Sequence, residues 1–282
     1  MRATTWSAFA ALCLVALCAA VPPGARAEDA SAAPPSAGPA APPSRLPQVS
    51  LPEKPVLEPK AMAVLKAMSD RLVAAHSMTF TALATYESPA VTGQPLAYTS
   101  LFEVALQRPD KLRVISPGDG PATEFYYDGK TMMAYTPSAN LAAVDAAPPT
   151  IDAMLKLAFE KAAIYFPFTD AIVADPYKDL SEGLRLAFYV GQSHVVGGTV
   201  TDIVAVANDT VQAEFWIGAE DHLPRLARAT FFNEPGNFRH VVELSNWKLD
   251  PTLAASDFTS EKALKAPRIK FESPDAKLPQ PN

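Results

Sequence analysis

The chain has 282 residues, 49% of them hydrophobic, with 28 prolines, two cysteines and a net charge of −6. Without a basic excess it has no electrostatic footprint for nucleic acid and no charge-driven adhesion to anionic lipid. Both cysteines, Cys13 and Cys18, fall in the first 27 residues. A chain trimmed of that stretch therefore offers no disulfide, thiolate nucleophile or cysteine metal site.

Residues 1–27 read as a secretory signal peptide. Arg2 precedes an apolar run over residues 8–21, and Ala25-Arg26-Ala27 supplies the small-x-small cleavage pattern. The run is short for a membrane span, which needs about 20 apolar residues, and Pro22, Pro23 and Gly24 break it. Leu12 and Leu17 stand before the cysteines, where lipoprotein processing would require a small residue. The expected product is a periplasmic chain with no transmembrane segment. Losing Arg2 and Arg26 takes its net charge from −6 to −8.

Residues 28–59 are rich in Ala, Pro and Ser, with Pro34-Pro35, Pro42-Pro43, Pro52, Pro55 and Pro59. So many prolines exclude a helix, and so little apolar surface cannot offset the cost of ordering. The expectation is a disordered tether, followed by one folded domain over residues 60–272 and a frayed tail over 273–282.

The domain opens on an amphipathic helix. Ala61, Leu65, Met68, Leu72 and Ala75 recur at helical spacing, and Pro59 suits the first helical position. After Ser77 the period changes to two. Strands are expected over 79–87, 98–107, 111–116, 123–127 and 131–136, with a short one near 141–144. Asp128-Gly129 marks a tight hairpin. Pro148-Pro149 stops the meander and Thr150 can cap a helix carrying Ile151, Met154, Leu155, Ala158, Phe159 and Ala162. Two short helical stretches follow, over 169–174 and from Asp175-Pro176-Tyr177 to about Gly183.

Strands then resume over 184–193, with Leu184, Leu186, Phe188 and Val190 expected on one face. Further strands cover 199–207, 210–217, 224–232 and 238–249. Asn208-Asp209 joins one pair, and Glu234-Pro235-Gly236 another. Such short joins force antiparallel neighbours. The predicted fold class is α+β: a strongly curved antiparallel sheet of about ten strands, a half-open barrel, covered by helices on its concave face. Sheets of that size tend to curl, and strands apolar on both faces, such as 210–217 with Trp216 opposite Phe215, need a cover.

Catalytic and metal chemistry find little support. His76, His194, His222 and His240 show no metal-ligand spacing. Gly-x-Ser-x-Gly is absent, and Gly118-Asp119-Gly120 lacks the lysine and helix of a phosphate loop. Asp170, Asp175, Asp179 and Glu182 form an acidic group. Carboxylates could do acid–base work, yet around short helices they cap and solvate, so no enzyme, metal or cofactor is expected.

Several segments carry a family resemblance. Residues 108–114 (Arg-Pro-Asp-Lys-Leu-Arg-Val), 124–131 (Glu-Phe-Tyr-Tyr-Asp-Gly-Lys-Thr) and 150–155 (Thr-Ile-Asp-Ala-Met-Leu), with Ser245-Asn246-Trp247 and Asp257-Phe258, resemble a family of uncharacterised predicted periplasmic proteins. That family is similar in turn to outer-membrane lipoprotein carriers and lipoprotein-localisation factors. The resemblance implies a half-open barrel closed by helices around a hydrophobic cavity, and a lipid or lipoprotein acyl chain as ligand. Where the family often places a Cys and a His after the Gly turn, this chain has Thr201 and Ile203, so the resemblance implies no chemistry for that pair.

The functional expectation is a non-catalytic protein that binds a hydrophobic ligand between sheet and helices. Met154, Leu155 and Phe159 are expected to line the cavity from the middle helix, with Phe188 and Phe215 from the sheet. Flexible Met and broad Phe side chains suit varied apolar shapes. The alternative is an envelope sensor or protein-interaction module with no small ligand, which the tether would help to reach a partner.

Overall fold

Alternating hydropathy and short turns build a computed structural model that describes residues 51–118, 121–232 and 236–272. The expected signal peptide, tether residues 28–50, the tail after 272, part of the Gly118-Asp119-Gly120 turn and the Glu234-Pro235 junction lie outside the described residues.

Helix α1 (Pro59–Ala74) starts with Pro59 in its first turn and buries Ala61, Leu65, Met68 and Leu72. Strands β2 (Ser77–Pro89) and β3 (Pro95–Gln107) form a long hairpin. The meander continues through β4 (Lys111–Ser116), β5 (Thr123–Tyr127), β6 (Thr131–Thr136) and β7 (Leu141–Ala146). At the β5–β6 turn only Gly129 takes a positive φ, of 94°. The Asp128 carboxylate accepts from the Lys130 and Thr131 amides, so the turn is held by an Asx side chain rather than by two left-handed residues.

Helices α2 (Ile151–Ala162), α3 (Thr169–Ile172) and α4 (Pro176–Ser181) interrupt the sheet. Thr150 caps α2, accepting from the Ala153 amide. Strands β8 (Leu186–Ser193), β9 (Thr201–Ala207), β10 (Val211–Gly218), β11 (Pro224–Phe231) and β12 (Arg239–Leu249) complete the antiparallel run. Asn208 closes the β9–β10 turn, its side-chain oxygen accepting from the Thr210 and Val211 amides at 2.9 Å.

Two residues at each end extend the sheet in parallel: β1 (Val56–Leu57) on β8, and β13 (Arg268–Ile269) on β7. The described residues form one 13-stranded, curved, mostly antiparallel sheet in the order β1-β8-β9-β10-β11-β12-β2-β3-β4-β5-β6-β7-β13. Its first and last strands do not pair, so it is not a closed barrel.

Register places one continuous apolar face across most of this sheet. Tyr189, Val204, Phe215, Ala227, Val242 and Ala84 are successive cross-strand partners from β8 to β2. Beside them, Phe102, Val104, Val114 and Phe125 carry the face through β3, β4 and β5. These residues share one core cluster with Leu65 and Leu72 of α1, Met154 and Ala158 of α2, and Ala171 and Ile172 of α3. On the other face Met133, Tyr135 and Ala142 pack with Ala263 of helix α5 (Glu261–Lys265) and with its C-cap residue Ala266 in a smaller cluster.

Two expectations are corrected. The tether does not run free to Pro59. The Val56 amide bonds the Arg185 carbonyl at 2.9 Å, and Arg185 Nη2 reaches the carbonyls of Pro52 and Glu53. An edge strand with unpaired amides is a template for added backbone, and Pro-rich sequence can supply it wherever two non-proline residues fall together. The face of β8 is also reversed. Ala187 is buried, whereas Phe188 is 42% and Val190 51% exposed. Helix α1 packs against β8, and close approach of a helix favours the small Ala187 on the inner side.

Candidate functional site

A cavity of about 40 Å³ lies between helices and sheet. Met68 and Leu72 enter from α1, which presents them one turn apart on its buried stripe. Pro167, Phe168 and Ala171 come from the start of α3, and Leu180 from α4. The sheet supplies Phe215 of β10, Ala227 of β11, and Val242 and Leu244 of β12. Alternation puts these four on the same side, since Phe215 pairs with Ala227 and Ala227 with Val242. Asp170 is the one charged residue in the lining.

An aromatic wall closes one end. Phe168 meets Phe80 edge-on at 5.5 Å, Phe102 at 5.6 Å and Phe166 in a stacked pair at 5.6 Å. Phe80 stacks on Trp247 at 4.4 Å. Trp247 points inward because the β12–β2 register shifts between Ser245 and Lys248, and its indole donates to the Pro224 carbonyl at 3.0 Å. Such aromatic pairs each add about 0.5–1.5 kcal/mol beyond area burial.

Polar groups fix the α3 segment. Arg108 Nη1 donates to the carbonyls of Ile172 and Val173, both at 3.0 Å. The Asp152 carboxylate accepts from the Ala174 amide at 3.1 Å. Desolvation lowers the pKa of Arg108, opposed by the nearby Asp152 charge. Asp170 is pushed up to about 6, first by the protein crowded around it and then by repulsion from Asp179. By surface area Asp170 is nonetheless exposed. Water reaches it through the cleft mouth, so it is a crowded but wetted carboxylate rather than a sealed one. Asp179 is also raised, by desolvation first and then by Asp152.

The structure brings together only part of the site expected from sequence. Phe215 lines the cavity. Met154 is fully buried in the core, Leu155 packs partly against that core, and Phe159 is half-buried. None of these three α2 residues lines the cavity. The start of α2 is tied to the turn after β3, where the Ile151 amide donates to the Pro109 carbonyl at 2.9 Å. Phe188 stands on the opposite face of the sheet, since it pairs with Ala205 and Ala205 with Glu214, the neighbour of Phe215. Sequence reasoning missed Met68 and Leu72 because an apolar helical stripe looks the same over core and over cavity. Asp170 did leave a signal: a carboxylate inside the mostly apolar run from Phe166 to Val173, where Thr169 is the other polar residue.

Among the described residues no cluster of His, Cys, Asp and Glu could hold a metal ion, and no helix is long and apolar enough to cross a membrane. A family model described as "Predicted periplasmic protein (DUF2092)" matches residues 61–272. The chain belongs to the DUF2092 family. The resemblance read from the sequence is therefore borne out. No curated protein matches the DUF2092 chain.

Among solved structures it is similar to the lipoprotein LppX of Mycobacterium tuberculosis, at 12% identity and a TM-score of 0.45, covering 70% of this chain and 98% of that one. LprF from Mycobacterium bovis gives 16% identity and 0.44, covering 70% and 97%. The LolA superfamily protein NE2245 from Nitrosomonas europaea gives 9% and 0.35, covering 71% and 98%.

Proposed function

We propose that this DUF2092 chain is exported by its N-terminal signal peptide to the periplasm and there binds a hydrophobic ligand without chemistry. Helices α1, α3 and α4 roof the concave side of the sheet, and the ligand enters between roof and sheet. The observation that carries this reading is the cavity itself, walled by apolar side chains from both layers and charged only at Asp170. Affinity would come from apolar burial at about 25 cal/mol per Å². Pockets for small ligands run about 300–1,000 Å³, so the cavity of about 40 Å³ must widen. Phe168 is the wall to move, since it lines the cavity and stands at the N-cap of a four-residue helix held to the sheet through Arg108. Phe215 remains a ligand contact in this proposal. Met154, Leu155 and Phe159 would be reached only by a chain that passes beyond the aromatic wall.

Titration of delipidated protein with the neutral fluorescent probe phenylnaphthylamine tests the reading. Saturable binding, lost on Ala227→Phe with the melting temperature retained, is the expected result. Absence of saturable binding would overturn it and favour a protein-interaction module for the envelope.

A further inference from the structure

The cavity has an apolar body and one acidic point. Asp170 sits in its lining beside Phe168, Ala171 and Leu180, and its carboxylate meets no hydrogen-bond donor or cation among the described residues. The charges around it have the same sign. Asp179 repels Asp170, and Asp152, Asp175 and Glu182 repel Asp179 in turn. Among the described residues no cation is paired with Asp170. Arg108 spends Nη1 on two carbonyls, Lys66 is bonded to Asp70, and Lys178 offsets Asp179.

An exposed carboxylate in the lining of an apolar cavity, with like charges behind it and no cation paired to it, attracts a complementary charge. We propose that the ligand is an amphiphile with a cationic head, an aliphatic amine or ammonium, whose nitrogen pairs with Asp170 while its chain enters between Phe168 and Phe215. This rests on the hydrophobic-ligand reading and adds the chemistry of the head. An anionic head would meet Asp170 with Asp179 behind it and be repelled. A neutral head would leave the carboxylate as it is. The acidic rim adds long-range attraction for the same class of ligand.

Calorimetric titration with decylamine, decanol and decanoate, matched in chain length, separates the head from the chain. At pH 8, where Asp170 is ionised, decylamine is expected to bind at least tenfold tighter than decanol, and decanoate weakest. Asp170→Asn should bring decylamine to within threefold of decanol, and Asp170→Glu should keep the original order. Melting curves of both variants establish that they are folded. If decanol and decanoate bind and decylamine holds no advantage, or if Asp170→Asn leaves its advantage intact, the head-group assignment is wrong while the hydrophobic-ligand reading stands. If none of the three binds, both fall.

Discussion

Arg108 Nη1 donates to the Ile172 carbonyl at 3.0 Å, a bond that joins the end of β3 to the end of α3 across 64 residues of sequence. The same nitrogen reaches Val173, while Nε and Nη2 are buried without partners. The bond is charge-assisted, and such bonds contribute about 1.5–3 kcal/mol. Arg108→Ala is expected to lower stability by about that amount in urea unfolding. It should also raise amide exchange over residues 169–174 more than elsewhere. Unchanged exchange in α3 would show that Arg108 does not anchor the cavity roof.

The raised pKa of Asp170 makes stability depend on pH. Below the ordinary carboxylate value both folded and unfolded chains hold the proton, and the group has no effect. As pH rises towards about 6 the unfolded chain releases its proton while the folded chain retains it, so the folded state loses ground. Above about 6 the whole penalty applies. Because water reaches the carboxyl, the penalty is well below that of a sealed group, about 1 kcal/mol or less. Asp170→Asn should therefore stabilise the protein at pH 8 and have little effect at pH 3.5. Melting curves of both proteins at the two pH values check this; equal shifts at both would rule out titration as the cause.

Much of the sheet was legible because its punctuation is chemical. Pro109-Asp110, Asp128-Gly129 and Thr131 bracket β4, β5 and β6 at the expected residues, and Thr150 caps α2 as its hydroxyl should. The inner face of β8 was not legible, because the neighbourhood of α1 selects the small Ala187 and leaves the larger Phe188 outside. Pattern reading ranks size and hydropathy, and here both pointed the wrong way. The short parallel strands β1 and β13 have two residues each, too few to show any period. Within the site, Phe215 was legible from strand alternation. Whether a stripe such as Met68–Leu72 meets a neighbour or a void depends on the curvature of the sheet it faces.

The β1 edge carries its own test. The Glu58 carboxylate accepts from the Tyr189 amide at 2.7 Å, continuing the β1–β8 ladder with a side chain, and the Lys60 ammonium lies 3.3 Å above the Tyr189 ring. Glu58→Ala removes the acceptor and leaves the amide to water. The expected cost is about 1 kcal/mol, with faster exchange at Tyr189 and little change at Val204 in the next strand. Exchange at Tyr189 as slow as in the parent protein would mean that Glu58 does not protect the edge.

Phe168 links stability to ligand space. It is 2% exposed and touches three other phenylalanines while lining the cavity. Phe168→Ala removes those ring contacts and enlarges a void that already exists. Truncating a buried Phe costs about 3–5 kcal/mol. If Phe168 is the wall that must move before a ligand enters, the variant is already partly open and no longer bears that cost. Its probe affinity should then rise although its stability falls, and saturating probe should restore more of its melting temperature than it adds to the parent protein. A variant that loses stability and probe binding together would instead make Phe168 part of the contact surface, with the opening elsewhere.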